Sequence, residues 1–174
     1  MSDTNPIQQV HDAFWDMLES RHDFCALVPK RCRVRYDDDI NSGERGEPLE
    51  RTAISESDLP EVRLVQTGFL PHYSADSTHS NITLTFEIHV STGRRWNNKL
   101  SAIQFAIFRA LHDWLTHLET LTWRGETFVR KCDPLQAKDS LDNRELNRQI
   151  RGWSCVWAGE VMLWFNISDL RSDL

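Results

Sequence analysis

The stretch from Asn81 to Thr92 constrains the fold more than any other part of the chain. Ile82, Leu84, Phe86, Ile88 and Val90 alternate with Thr83, Thr85, Glu87 and His89. Successive side chains of a strand point to opposite faces. The alternation therefore predicts a strand with one face on a core and the other in water or against a partner. Gly93 ends it, and the period then changes. From about Asn98 to Leu118, Leu100, Ile103, Ile107, Leu111, Trp114 and Leu118 recur at helical spacing, with Ala106, Ala110 and Leu115 beside them. Phe105 and Phe108 widen that apolar arc, which predicts a helix covered on more than one side, with part of the breadth available for a subunit contact.

A second amphipathic helix opens the chain. Asn5 suits its N-cap, Pro6 its first turn and Gln8 a capping box. Ile7, Val10, Phe14, Met17 and Leu18 form its stripe, and the helix is expected to end between Ser20 and Asp23. After the apolar patch Phe24–Val28 comes Lys30–Tyr36. The alternation of Cys32, Val34 and Tyr36 predicts a brief strand with basic residues on its open face. Asp37 to Pro60 has the composition of a long loop, a length usually functional or disordered. Pro60 introduces a strand over Glu61–Thr67, and Gly68–Ser80 is expected as a further loop. Beyond Leu121, strands are expected near Trp123–Val129, over Glu145–Ala158 and, after a turn at Gly159-Glu160, over Val161–Ile167, with Cys132–Asn147 polar. No segment repeats another.

This order predicts a single α+β domain: an antiparallel or mixed sheet with both amphipathic helices packed on one face. At 174 residues and 40% hydrophobic content the chain can build such a core without staples. Cys25, Cys32, Cys132 and Cys155 are too scattered for a disulfide framework and read as free thiols, Cys155 as core packing. The polar N-terminus does not resemble a secretory signal, and no run of about 18 apolar residues would span a membrane. The expected location is the cytoplasm of a host cell or a virion.

Charge is uneven. Between Tyr36 and Glu61 nine acids face two bases, Arg45 and Arg51, a balance of −7; the remainder carries 18 bases and 17 acids, +1, giving the total of −6. A phosphate-backbone ligand wants the opposite, so nucleic-acid binding is not expected. The acidic stretch reads as a solvated loop or as a surface that docks on a basic protein.

No motif carries chemistry. His112 and His117 do not share a helix face, and His72, His79 and His89 lack ligand spacing, so no metal is expected. Asp37-Asp38-Asp39 lacks the alternation of a calcium loop. There is no GxSxG elbow and no glycine-rich phosphate loop, so neither catalytic residues nor a cofactor are assigned. Seven tryptophans stand out. Trp15 and Trp114 fall on or near helical stripes and read as core, whereas Trp96, Trp123 and Trp164 suit either a core or an interface.

The arrangement resembles the bacteriophage tail-terminator and minor tail (tail-completion) proteins. The features that carry the likeness run from about Pro6 to Ile167. An amphipathic helix ends in an apolar patch (Ile7 to Val28), and a strand is introduced by proline (Leu59-Pro60-Glu61-Val62-Arg63-Leu64). An alternating strand feeds a long helix (Ile82 to Val90, then Leu100 to Leu118), and the closing strands are aromatic-rich (Trp153 to Phe165). The acidic loop and the Cys132–Asn147 segment are larger than the group suggests. The resemblance implies a structural phage or prophage protein without catalytic residues. Such a protein forms a homo-oligomeric ring, expected as a hexamer, at the head-proximal end of the tail and contacts tail-tube or neck proteins. Its expected contacts involve Asp37, Asp38, Asp39, Arg45, Arg51 and Trp96. The alternative is a small monomeric enzyme or ligand-binding domain whose pocket would gather some of His72, His79, His89 and Cys132.

Overall fold

A computed structural model describes residues 5–35, 60–72, 78–92, 97–133, 136–138 and 153–171. The first helix, α1 (Pro6–Glu19), begins where the sequence places it. Asn5 Oδ1 accepts the Ile7 N–H at 2.9 Å, satisfying one of the donors a helix start leaves open. Val10, Ala13, Phe14, Trp15, Met17 and Leu18 are its buried residues. The apolar patch that follows is itself helical: α2 (His22–Leu27) buries Phe24, and Val28 closes it.

The basic strand is shorter than expected and its first arginine is turned inward. Cys32 belongs to a 3-10 turn (Lys30–Cys32), and only Arg33–Val34 form strand β1. The Arg33 guanidinium donates to the Val28 carbonyl from Nε at 3.0 Å and from Nη2 at 2.8 Å, and pairs with Glu19 at 3.4 Å. A helix C-terminus leaves carbonyls without donors, and Arg33 supplies them. Arg35 pairs with Glu19 at 3.0 Å and lies over the Trp15 ring.

Six strands form one mixed sheet in the order β1-β2-β3-β8-β6, with β7 beside β8. They are β1, β2 (Glu61–His72), β3 (His79–Thr92), β6 (Val129–Cys132), β7 (Gln136–Lys138) and β8 (Trp153–Asn166). The pair β1–β2 is parallel and the other pairs are antiparallel. The α+β class, with its helices on one face of the sheet, is therefore as the sequence reads. Leu84, Phe86, Ile88 and Val90 are fully or almost fully buried, and Thr83, Thr85, Glu87 and His89 are half-buried on the other face.

Two expectations in the sheet are corrected. Gly68 does not start a loop: β2 runs on to His72, with a bulge between Gln66 and Gly68. The glycine lies so close to β3 that a Cβ there would stand 2.9 Å from Thr85 Oγ1. Nor does Gly159-Glu160 turn. The fourteen residues of β8 pair without a break against β3, and Gly159 sits buried opposite Phe86. A continuous partner strand outweighs the local turn preference of one glycine. The Cys155 side chain lies outside the described part.

The long helix is divided. α3 (Asn97–Leu111) and α4 (Trp114–Leu118) are separated at His112-Asp113. The region of Trp123 is a small hairpin rather than one strand: β4 (Thr122–Trp123) pairs with β5 (Glu126–Thr127). Arg124 and Gly125 both take positive φ, 52° and 86°, as the favoured two-residue hairpin turn requires. Arg124 stacks over Trp123 at 4.7 Å and donates to the Asp169 carbonyl at 2.6 Å, which ties the hairpin to the last helix, α5 (Ile167–Arg171).

The core joins these layers through Phe14, fully buried with its ring 5.4 Å from Phe86 of the sheet and 5.1 Å from Trp114 of α4. Phe14→Ala is expected to cost about 3–5 kcal/mol, the range for emptying a buried aromatic site. Urea unfolding measures this, and a loss below about 1 kcal/mol would remove Phe14 from the centre of the core. His11, beside it on α1, has its pKa held below 6.5 chiefly by burial, against the raising effect of Asp12. The unfolded chain therefore takes up the proton first as pH falls, so stability drops below about pH 6.5. His11→Gln is expected to flatten that part of the stability–pH curve, and an unchanged curve would assign the dependence to other groups.

Candidate interaction site

The outer face of α3 carries apolar side chains that nothing in the described chain covers. Phe105 is 60% and Phe108 52% exposed, with ring centroids 6.2 Å apart in a stacked arrangement. They are one turn apart, so they form a ridge. The Arg109 guanidinium lies 6.0 Å over Phe105 and pairs with Asp23 at 2.9 Å, joining the ridge to α2. The stripe at Ile103, Ala106, Ile107 and Leu111 is buried toward the sheet. The two phenylalanines recognised in the sequence as surplus to that stripe thus face outward. Covering what remains exposed of both would contribute roughly 1.5–3 kcal/mol.

Beside the ridge lies an apolar pocket of about 250 Å³. Ile107, Phe108 and Leu111 from α3, Trp114 and Leu115 from α4, and Cys132 and Trp157 from the sheet line it, together with His112. It lies where α3 gives way to α4, with residues of both helices in its wall. No Asp, Glu, Lys or Arg is among these lining residues. His112 contacts Asp113 at 3.1 Å and is more than half exposed. Trp157 Nε1 is buried and has no hydrogen-bond partner among the described residues. Leaving such a donor unsatisfied costs about 1–3 kcal/mol. The Cys132 thiol is pushed up to about 12, first by burial and then by the charges of Glu119 and Asp133. It stays protonated at neutral pH and is a weak nucleophile.

The histidines expected to accompany Cys132 lie elsewhere. His89 pairs with Glu87 at 2.9 Å on the face of the sheet away from the helices. His72 Nε2 is 3.2 Å from Thr83 Oγ1 on that same face, near the far end of β2. His79 packs against Trp164, with centroids 5.9 Å apart. None of the three lines the pocket of Cys132. Among the described residues no group of three or more His, Cys, Asp or Glu is placed to hold a metal ion, and no helix is long and apolar enough to cross a membrane.

Of the tryptophans, Trp15 and Trp114 are core as expected, and Trp164 is 37% exposed. Asp37, Asp38, Asp39, Arg45, Arg51 and Trp96 lie outside the described residues. The pocket itself is not legible in the sequence, since Cys132 and Trp157 reach its wall from strands well beyond α3 and α4.

A third apolar feature stands near the opposite edge of the sheet. β1 pairs only with Val62 and Arg63, so among the described residues the rest of the outer edge of β2 has no neighbouring strand. There Phe69 is 51% and Leu70 58% exposed.

No protein-family model matches the chain, and no curated protein sequence matches it at a significant level.

The state of Cys132 can be checked directly. A rise from 9.0 to about 12 lowers the thiolate fraction near pH 8 by roughly a thousandfold. Alkylation of Cys132 by iodoacetamide, followed by peptide mass spectrometry, is expected to be at least a hundredfold slower than that of a free thiol. A rate equal to the free thiol's would show that the pocket does not hold it protonated.

Proposed function

We propose that the protein is a structural component of a phage or prophage virion, akin to tail-terminator and tail-completion proteins, which assembles as a ring by protein–protein contacts. The observation that carries this reading is the uncovered ridge of Phe105 and Phe108 beside an apolar pocket. Contiguous apolar surface of this kind marks a contact site. The order of elements supports the same reading: α1, the strand opened by Pro60, the alternating strand that feeds α3, and the aromatic-rich closing strand. In this role the ring sits at the head-proximal end of the tail. The acidic segment, with Asp37, Asp38 and Asp39, meets a basic surface on a neighbouring subunit or on the tail tube.

Light scattering over a range of concentrations and salt tests the assembly. A mass that rises from 20.3 kDa to a fixed closed multiple is expected. Replacing Asp37, Asp38 and Asp39 together by Ala is expected to weaken assembly or tail-tube binding by about tenfold or more, most clearly at low salt where such contacts are least screened. A strict monomer that also fails to bind tail-tube protein would discard the reading.

The pocket favours one other reading, a small ligand-binding domain. Its volume lies just under the ~300 Å³ at which drug-sized sites begin. Thermal-shift hits from a fragment screen that Leu115→Trp abolishes would support this, and an absence of such hits would dismiss it.

A further inference from the structure

We propose that His11 is a pH-sensitive latch for the short strand β1: when its ring takes up a proton, the chain from Val34 onward swings away from α1, hinged at Arg33. The latch does not depend on whether the chain forms rings.

One stripe of α1 builds it. His11, Trp15 and Glu19 stand four residues apart and share a side of the helix. Arg33 and Arg35 reach across to it. The His11 ring is hydrogen-bonded to the Arg35 backbone. The Arg35 guanidinium lies 5.9 Å over the Trp15 ring and pairs with Glu19 at 3.0 Å. Trp15 is fully buried, and the His11 side chain is only 14% exposed.

Among the described residues two charged groups act on the ring: Asp12 of its own helix, with Oδ1 3.6 Å from Nδ1, and Arg35 from the strand side. Helices α2, α3 and α4 also pack on α1, and none of their charged groups enters this balance. Burial is the largest influence and favours the neutral ring. The Arg35 charge acts in the same sense, while Asp12 and the bond to the Arg35 backbone oppose both. A protonated ring is therefore better placed in water than beneath Arg35.

Which partner gives way follows from how each is held. Val10, Phe14, Met17 and Leu18 anchor α1 in the core. Arg33 is anchored too: its guanidinium donates to the Val28 and Cys25 carbonyls and pairs with Glu19. Arg35 is 38% exposed and is held by its ion pair with Glu19 and its stacking on Trp15. An ion pair that open to solvent holds weakly. β1 itself spans two residues, registered with Val62 and Arg63. The part beyond Arg33 thus moves most easily. Because Val34 is the neighbour of Arg63, its departure leaves that length of the β2 edge without a strand beside it among the described residues.

The docked ring's pKa lies below 6.5, so the open form takes up the proton first as pH falls. Opening is then favoured by roughly tenfold per pH unit below about 6.5, until the docked ring is protonated as well.

Amide hydrogen exchange read by NMR, from about pH 7.5 to about 5.5, stays above the ordinary carboxylate range and tests this. After correction for the intrinsic pH dependence of exchange, protection at Arg33 to Arg35 is expected to fall about tenfold, while Val10 to Leu18 of α1 keep theirs. In His11→Gln, whose amide stays neutral, the fall is expected to vanish. Arg35→Gln is expected to raise the pH at which the His11 ring resonances titrate. Near-ultraviolet circular dichroism at about pH 7.5 checks that both variants are folded.

Loss of protection in β1 and α1 together would be global unfolding and overturns the latch. A fall that persists in His11→Gln assigns it to another group, and an unmoved His11 titration in Arg35→Gln removes Arg35 from the device. Amides at Arg33 to Arg35 that are unprotected even at the upper pH overturn it as well, since no docked strand would be there to release.

Discussion

Strand β3 is hydrogen-bonded along both edges, to β2 on one side and to β8 on the other, and the pairing with β8 covers all fourteen of its residues. A strand held in this way cannot slip by one residue without turning Leu84, Phe86, Ile88 and Val90 out of the core. Its register therefore fixes that of its neighbours and decides which side of the sheet the helices must cover. Phe14 transmits the decision to the helical layer, since its contacts with Phe86 and Trp114 leave α1 little freedom to rotate or slide. What lies outside this clamp is less constrained: the outer side of α3 and the edge made by β6 and β7.

The central strand β3 and helix α1 are the parts most legible in the sequence. The alternation from Ile82 to Val90 and the stripe of α1 are local patterns whose period states the structure directly. The cap at Asn5 adds a second local signal that agrees with the first. Where tertiary pairing overrides a local preference, the reading failed. Gly68 and Gly159 look like punctuation in isolation, yet each lies within a strand. At Gly159 the continuous partner β3 decides, and at Gly68 a bulge and close approach to Thr85 make the absence of a side chain useful. Arg33 was misplaced for a similar reason, because the carbonyl it serves at the end of α2 is not visible as a pattern.

The candidate site was half legible. Phe105 and Phe108 were visible as apolar residues left over once the buried stripe of α3 was counted. The recess beside them was not, because His112-Asp113 carries no proline or glycine to announce a break and because Trp157 and Cys132 arrive from other elements. A surplus aromatic on an otherwise complete helical stripe is thus a sequence signal for a surface. The shape that surface presents has to be seen.

The outer edge of β2 also bears on how the chain avoids pairing with others of its kind. An edge strand whose outer side, among the described residues, has no neighbour beyond Arg63 is a template for indefinite stacking. The bulge between Gln66 and Gly68 bends the strand, and Pro71 lacks the N–H that a growing ladder would need at that place. These two interruptions confine any added strand to a short length. The same two features that interrupt the strand thus work against open-ended growth along its edge.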